Sequence, residues 1–457
     1  MYKKNAWAKY EAKELNELMS FCEDYKDFIS TCKTERECVA YTIKEIEKLG
    51  FKNYKDLKSL KAGDKVYATN KDKNICVFVI GDEPIENGIN VLGAHIDSPR
   101  IDIKQNPLYE SNGFAMLDAH YYGGIVKYQW VTIKLAIHGV VCKKDGTTLN
   151  VVIGENPEDP VLVITDLLPH LAADKMQKSG AKVIDGEDLD ITVGSMGLDG
   201  EEKESVKKAI LKLLKDIYDI EEEDFVSAEF EIVPEGKARD LGLDRSMILG
   251  YGHDDRVCAY TSLRAVLDAG KCKRTTCAYL VDKEEIGSVG ATGAHSIWFQ
   301  NVLAELINLQ NNNYNDLLLR RALTNTFMLS SDVSAGFDPL YPSVFEKKNA
   351  SFLGQGITFN KYTGARGKSG CNDAMPEYMA KVRKIMDDNN IYYQTAELGK
   401  VDIGGGGTIA YIMGNQNMHV MDAGVPVLSM HAPCEVVSKV DVYEAYLAYK
   451  AFVKDIK

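Results

Sequence analysis

Apolar residues recur every three to four positions in "AWAKYEAKELNELMSFCEDY" (6–25) and again in "ERECVAYTIKEIEKLG" (35–50). That spacing predicts two helices with one apolar face each, and Gly50 marks the second stop. Two short continuous apolar runs follow, "NICVFVIG" (74–81) and "INVLGAHID" (89–97), and these predict buried strands. Between 101 and 248 helical spacing thins out. β-branched and aromatic runs alternate with turns there, as in "YYGGIVKYQWVTIKLAIHGVV" and "VSAEFEIV". One acidic stretch with helical spacing, 201–224, interrupts them. Strand and helix patterns then alternate from 249 to 457. The pattern predicts an α/β fold with a mixed sheet flanked by helices. Its two parts, 1–100 and 249–457, are separated by an inserted, mostly β domain over 101–248. No internal repeat or low-complexity linker is present.

Composition changes this picture little. A length of 457 residues suits two domains, and 45% hydrophobic with 26% charged residues is that of a globular chain. The net charge of −13 argues against a nucleic-acid partner, which needs a basic face. None of the ten cysteines forms a CxxC pair, and several lie inside apolar runs. They read as small buried hydrophobes in a reducing compartment. The opening residues lack the apolar core of a signal peptide, and no run reaches membrane-spanning length. The expected location is the cytoplasm, with no membrane partner.

Five apolar runs stop on residues that bind metals or move protons. "VLGAHIDSP" ends on His95 and Asp97, and "MILGYGHDDR" on His253, Asp254 and Asp255. "CAYLVDKEEIGS" ends on Glu284 and Glu285, "TFMLSSDVS" on Asp332, and "VPVLSMHAPCE" on His431. Taken singly, each is more often a solvated turn or a satisfied polar residue than a ligand. Ligands of open α/β sheets bind beyond the carboxyl ends of strands, however. Several carboxylates gathered there would destabilise one another unless a cation compensates them. Two histidines with four or five acids match the needs of two co-catalytic zinc ions sharing one carboxylate. His120, His138, His295 and His419 lie away from these ends and read as structural or exposed. The glycine run "DIGGGGT" (402–408) reads equally as a tight turn or as backbone open to a substrate carbonyl. "HGVVCKKDGTTLN" reads as a hairpin with an Asp-Gly turn.

In this order, "GAHIDSPR", "GHDDR", "DKEEIGS", "SSDVSAGFDP" and "SMHAPCE" resemble the aspartyl aminopeptidase and aminopeptidase I family of dizinc exopeptidases. The resemblance spans nearly the whole chain and includes "DLLPHLA" (166–172). It implies a metal-dependent aminopeptidase acting on peptides, with two divalent ions per chain: zinc first, cobalt or manganese as alternatives. By the resemblance, His95, Asp254 and Asp332 hold one ion. Asp254, Glu285 and His431 hold the other, with Asp254 bridging. Asp97 accepts a hydrogen bond from the far nitrogen of His95. Glu284 is the general base, and the opposite faces of a strand end would separate its role from that of Glu285.

The resemblance further implies that the insert is a dimerisation domain and that the chain forms a homo-oligomer, a dodecamer. Two departures are visible. Ala335 stands where animal-type members carry a histidine, and Asp174 stands where they carry a histidine donated to a neighbouring subunit. Both bear on specificity, as some members prefer neutral N-terminal residues and others acidic ones. In "FNKYTGARGKSG", Lys361 best matches a family lysine that faces an acidic substrate side chain, though solvated loop charge is the competing reading. A dizinc carboxypeptidase or amide deacylase would share the metal logic. A non-catalytic scaffold would not need every proposed ligand and Glu284 together.

Overall fold

The computed structural model describes residues 5–457. They form two compact units. One comprises residues 5–97, Ala238–Met430 and Glu435–Lys457, and the other Ser98–Lys237 with His431–Cys434.

A nine-stranded mixed sheet organises the first unit. Its four central strands, Thr276–Val281, Asn90–His95, Phe327–Ser330 and His419–Gly424, run parallel. Their sequences are continuous apolar runs because both faces are covered. Alternation along each strand divides the core in two. Leu92, Ala94, Ala278, Leu280, Phe327 and Leu329 face one cluster, which holds the helices Ala12–Thr31, Glu35–Lys48, His253–Asp268 and Lys439–Asp455. Val91, Cys277, Tyr279, Val281 and Met328 face the other, with helices Trp298–Asn311 and Asp316–Thr324. The first predicted helix is divided: Ala6–Lys9 forms a 3-10 turn before the long helix begins at Ala12. The second starts at a capping box in which the Thr34 side chain accepts from Glu37 N and the Glu37 side chain accepts from Thr34 N.

Two runs expected in this sheet lie elsewhere. Met247–Gly250 and Pro426–Leu428 belong to a separate five-stranded sheet with Arg239–Leu241, Glu435–Ser438 and Ser334–Ala335. Their hydrophobic patterns resemble those of the central strands, and sequence spacing carries no signal of which sheet a short strand joins.

The second unit is a six-stranded antiparallel sheet. It contains the expected hairpin, Leu135–Cys142 with Thr148–Ile153, and Gly146 takes φ 90° at its turn. The acidic segment is helical over Ser205–Tyr218. Against the 101–248 span read from the sequence, this unit runs Ser98–Lys237, and residues 239–250 pair within the first unit's five-stranded sheet. No helix among the described residues is long and apolar enough to cross a membrane.

Candidate active site

The register of the parallel strands brings their carboxyl ends to one level. Val281 pairs with His95, and Ser330 pairs with both Gly93 and Asp422. The residues just beyond, Asp97, Glu284, Glu285 and Asp332, therefore leave the sheet at one edge. Asp254 reaches them from the start of segment His253–Asp268, after Gly252 at φ 72°, where its own backbone (φ −77°, ψ 106°) is not helical.

His95, Asp254 and Asp332 each present a ligand atom, all within 4.8 Å of one another, and so do His95, Glu284 and Glu285. His95 Nδ1 lies 3.0 Å from the carbonyl oxygen of Asp97. A carbonyl only accepts, so Nδ1 carries a proton, and Nε2 is the ring atom that faces the cluster. Nε2 lies 3.1 Å from Asp254 Oδ1 and 4.0 Å from Glu284 Oε2. The backbone N–H of His95 donates to Asp255 Oδ2 at 3.2 Å, and that of Asp254 to the buried Glu435 Oε2 at 3.0 Å. These bonds fix the backbone at two residues of the cluster.

Asp97 does more than the sequence suggested. Its carbonyl takes the shorter contact to His95, with Oδ1 3.3 Å from the same nitrogen. The fully buried carboxylate also accepts the backbone N–H groups of Glu284 at 3.1 Å and Glu285 at 3.2 Å. One aspartate thus orients the histidine and grips the glutamate pair.

The glutamate pair needs a correction. Its strand ends at Val281, Lys283 takes the left-handed conformation, and Glu284–Ile286 is a single 3-10 turn. Alternate faces of a strand do not separate the two side chains; a tight turn does. The glycines at 287 and 290, both at positive φ, were the signal that the chain turns here.

Electrostatics favour a cation. Burial pushes the Asp332 carboxyl well above the ordinary range, and Glu284, Asp254 and Asp422 add to this while His95 opposes it. Burial, then Asp332, does the same to Asp255. Burial works against a charged His95, yet hydrogen bonds to Asp254 and Asp97 outweigh it and raise its pKa. Imidazole and carboxylate donors at this spacing fit zinc. Asp422, Asp255 and Glu435 were not assigned from sequence. Asp422, an acid in the middle of the apolar run "HVMDAGVPV", is the one a pattern could have flagged.

His431 stands in segment His431–Cys434 at φ 66°, with Nδ1 2.8 Å from the Gly124 carbonyl, so Nδ1 carries a proton there. His253 is buried with Nδ1 2.6 Å from Tyr25 Oη, a packing role. His138 pairs with Glu155, His295 with Tyr411, and His419 stacks on Phe327. Lys361 follows strand Ile357–Asn360, keeps 43% of its side chain exposed and lies 3.3 Å from Asp373 Oδ1. Asp174 lies on the short helix Ala173–Met176 of the second unit.

Known proteins match this arrangement along its length. The family described as aminopeptidase I zinc metalloprotease (M18) matches residues 28–453. A probable M18 family aminopeptidase 1 of Clostridium acetobutylicum is 58% identical over 99% of this chain and 98% of its own. The crystal structure of aminopeptidase I from that organism superposes with a TM-score of 0.93 at 55% identity over the whole of both chains. An M18 aminopeptidase from Thermotoga maritima does so at 0.96 with 43% identity, again over both whole chains. The chain belongs to the M18 family of aminopeptidase I zinc metalloproteases and is a hydrolase.

Proposed function

We propose that the enzyme removes N-terminal residues from peptides using two divalent ions, zinc first, with Glu284 as general base. The observation that carries this reading is the convergence of His95, Asp254, Asp332, Glu284 and Glu285 beyond one sheet edge. His95, Asp254 and Asp332 would hold one ion, and Asp254, Glu285 and His431 the other. When bound, the ions supply Lewis acidity at the scissile carbonyl and at the attacking water. Glu284 takes the proton from that water and returns it to the leaving amine. Asp97 holds the imidazole of His95 and the backbone of both glutamates during this exchange. Carboxylates near the ions also receive the free α-ammonium group, which is the basis of exopeptidase action.

The N-terminal side chain preferred is acidic or neutral, and Lys361 is the residue that decides. A lysine desolvated against substrate favours Asp or Glu, because an apolar side chain leaves it unpaired. Its half-exposure beside Asp373 and the alanine at 335 support the neutral alternative. Kinetics on Asp-, Glu- and Leu-nitroanilides separate the two. An acidic pocket predicts that Lys361→Ala loses the Asp and Glu substrates selectively. A wild type that prefers Leu, with no effect of Lys361→Ala, excludes it.

The second unit is proposed to mediate assembly. It exposes Leu167, Leu168, Leu171 and Met176, apolar residues clustered along the chain. The S. cerevisiae mApe1 dodecamer shares the fold, with a TM-score of 0.78 at 20% identity, and suggests the size to test. Sedimentation is expected to find a large closed oligomer of about twelve chains, as closed symmetry favours. A stable monomer at micromolar concentration removes this proposal.

A further inference from the structure

The turn that carries Glu284 and Glu285 has neither a strand nor a long helix to fix it. Ile286 and Val289 on it are exposed, so apolar burial holds it weakly. Hydrogen bonds hold it instead. Beneath it, Asp97 accepts from both glutamate N–H groups. At its far end, the Thr292 hydroxyl donates to Asp282 Oδ2 at 2.6 Å and closes residues 282–292 into a ring. Asn74 Nδ2 then donates to the Thr292 carbonyl at 2.6 Å, and Asn70 Nδ2 to the Ala291 carbonyl at 2.8 Å. These two bonds fasten the ring to the hairpin Lys65–Asn70 and Asn74–Val79.

The ring has little slack. Ser288 N donates to the Lys283 carbonyl at 2.6 Å. Gly293 packs so closely that a Cβ there would meet the Ser288 carbonyl at 2.1 Å. Thr292, Asp282 and Asn74 are all buried. Buried polar groups are costly unless paired, so the ring geometry in which these bonds form is strongly preferred over others.

We propose that Thr292, Asp282 and Asn74 form a clasp that positions Glu284 and Glu285 for the reaction. These are positioning residues, and the proposal rests on Glu284 as the proton-transfer group. Proton transfer needs heavy atoms about 2.6–3.2 Å apart, and a displacement of about 1 Å costs roughly 10²-fold in rate. A loosened clasp therefore lowers kcat while leaving substrate affinity nearly intact.

Thr292→Val keeps the volume and removes the donor. Its kcat is expected to fall about 10–100-fold with KM within about twofold, and Thr292→Ser is expected to recover to within about threefold of wild type. A folded Thr292→Val with wild-type kcat overturns the proposal, and so does a Thr292→Ser no better than the valine variant. Should Thr292→Val fail to fold, Asn70→Ala loosens the same ring from a more exposed position. Its kcat is expected to fall several-fold, and an unchanged kcat overturns the clasp. Glu284→Gln is assayed alongside. If it stays active, the general-base reading fails. If it is inactive while Thr292→Val is unaffected, the clasp alone fails.

Discussion

Glu284→Gln is expected to keep its metal and lose about 10²–10⁴-fold in kcat, the usual contribution of a general base. Glutamine has the shape of glutamate but cannot take a proton at neutral pH. Glu284 Oε2 stands 4.0 Å from His95 Nε2, and 16% of its side chain is exposed, so it borders the cluster without being fully enclosed by it. Glu285→Gln is expected to weaken one metal site first and to lose activity through that loss. Metal content and single-turnover rates of both variants check the pair. Loss of metal in Glu284→Gln with retention in Glu285→Gln would reverse the roles.

Asp254→Asn is expected to do the most general damage. Asp254 Oδ1 contacts His95 Nε2 at 3.1 Å, and its backbone N–H is fixed by Glu435. As the proposed shared carboxylate it would contribute to both ion sites, and an amide would remove the negative charge from each. Metal assistance is worth several kcal/mol of barrier, so kcat/KM is expected to fall at least about 10³-fold. Both ions are expected to bind more weakly, whereas a residue serving one site would leave the other near wild type. Glu435→Gln tests the support behind it, with a smaller expected loss of about 10–100-fold.

The convergence of candidate residues was legible in part before the fold was known, for a physical reason. A metal centre of the proposed kind would place several acids and histidines at the ends of otherwise apolar strands. That conflict between local burial and charge is visible residue by residue at His95, Asp254, Glu285, Asp332 and His431. The β-rich character of the insert was legible because helical spacing thins out there and β-branched and aromatic runs alternate with turns. Three things were not. The sheet that a short strand such as Met247–Gly250 joins depends on partners far along the chain. The turn at Glu284 and Glu285 was read as a strand end because the apolar run before it is so regular. The bonds at Asp97, Glu435 and Thr292 are made by ordinary polar residues whose partners only the fold supplies.

The most direct measurement is a metal titration of chelated, full-length protein followed by release of the N-terminal residue from an unblocked peptide. Activity is expected to be absent without metal, to rise with added zinc, cobalt or manganese, and to saturate near two equivalents per chain. Asp254→Asn is expected to show no such saturation. Full activity in the chelated protein, or saturation at one equivalent with the second ion never bound, would contradict the two-ion account.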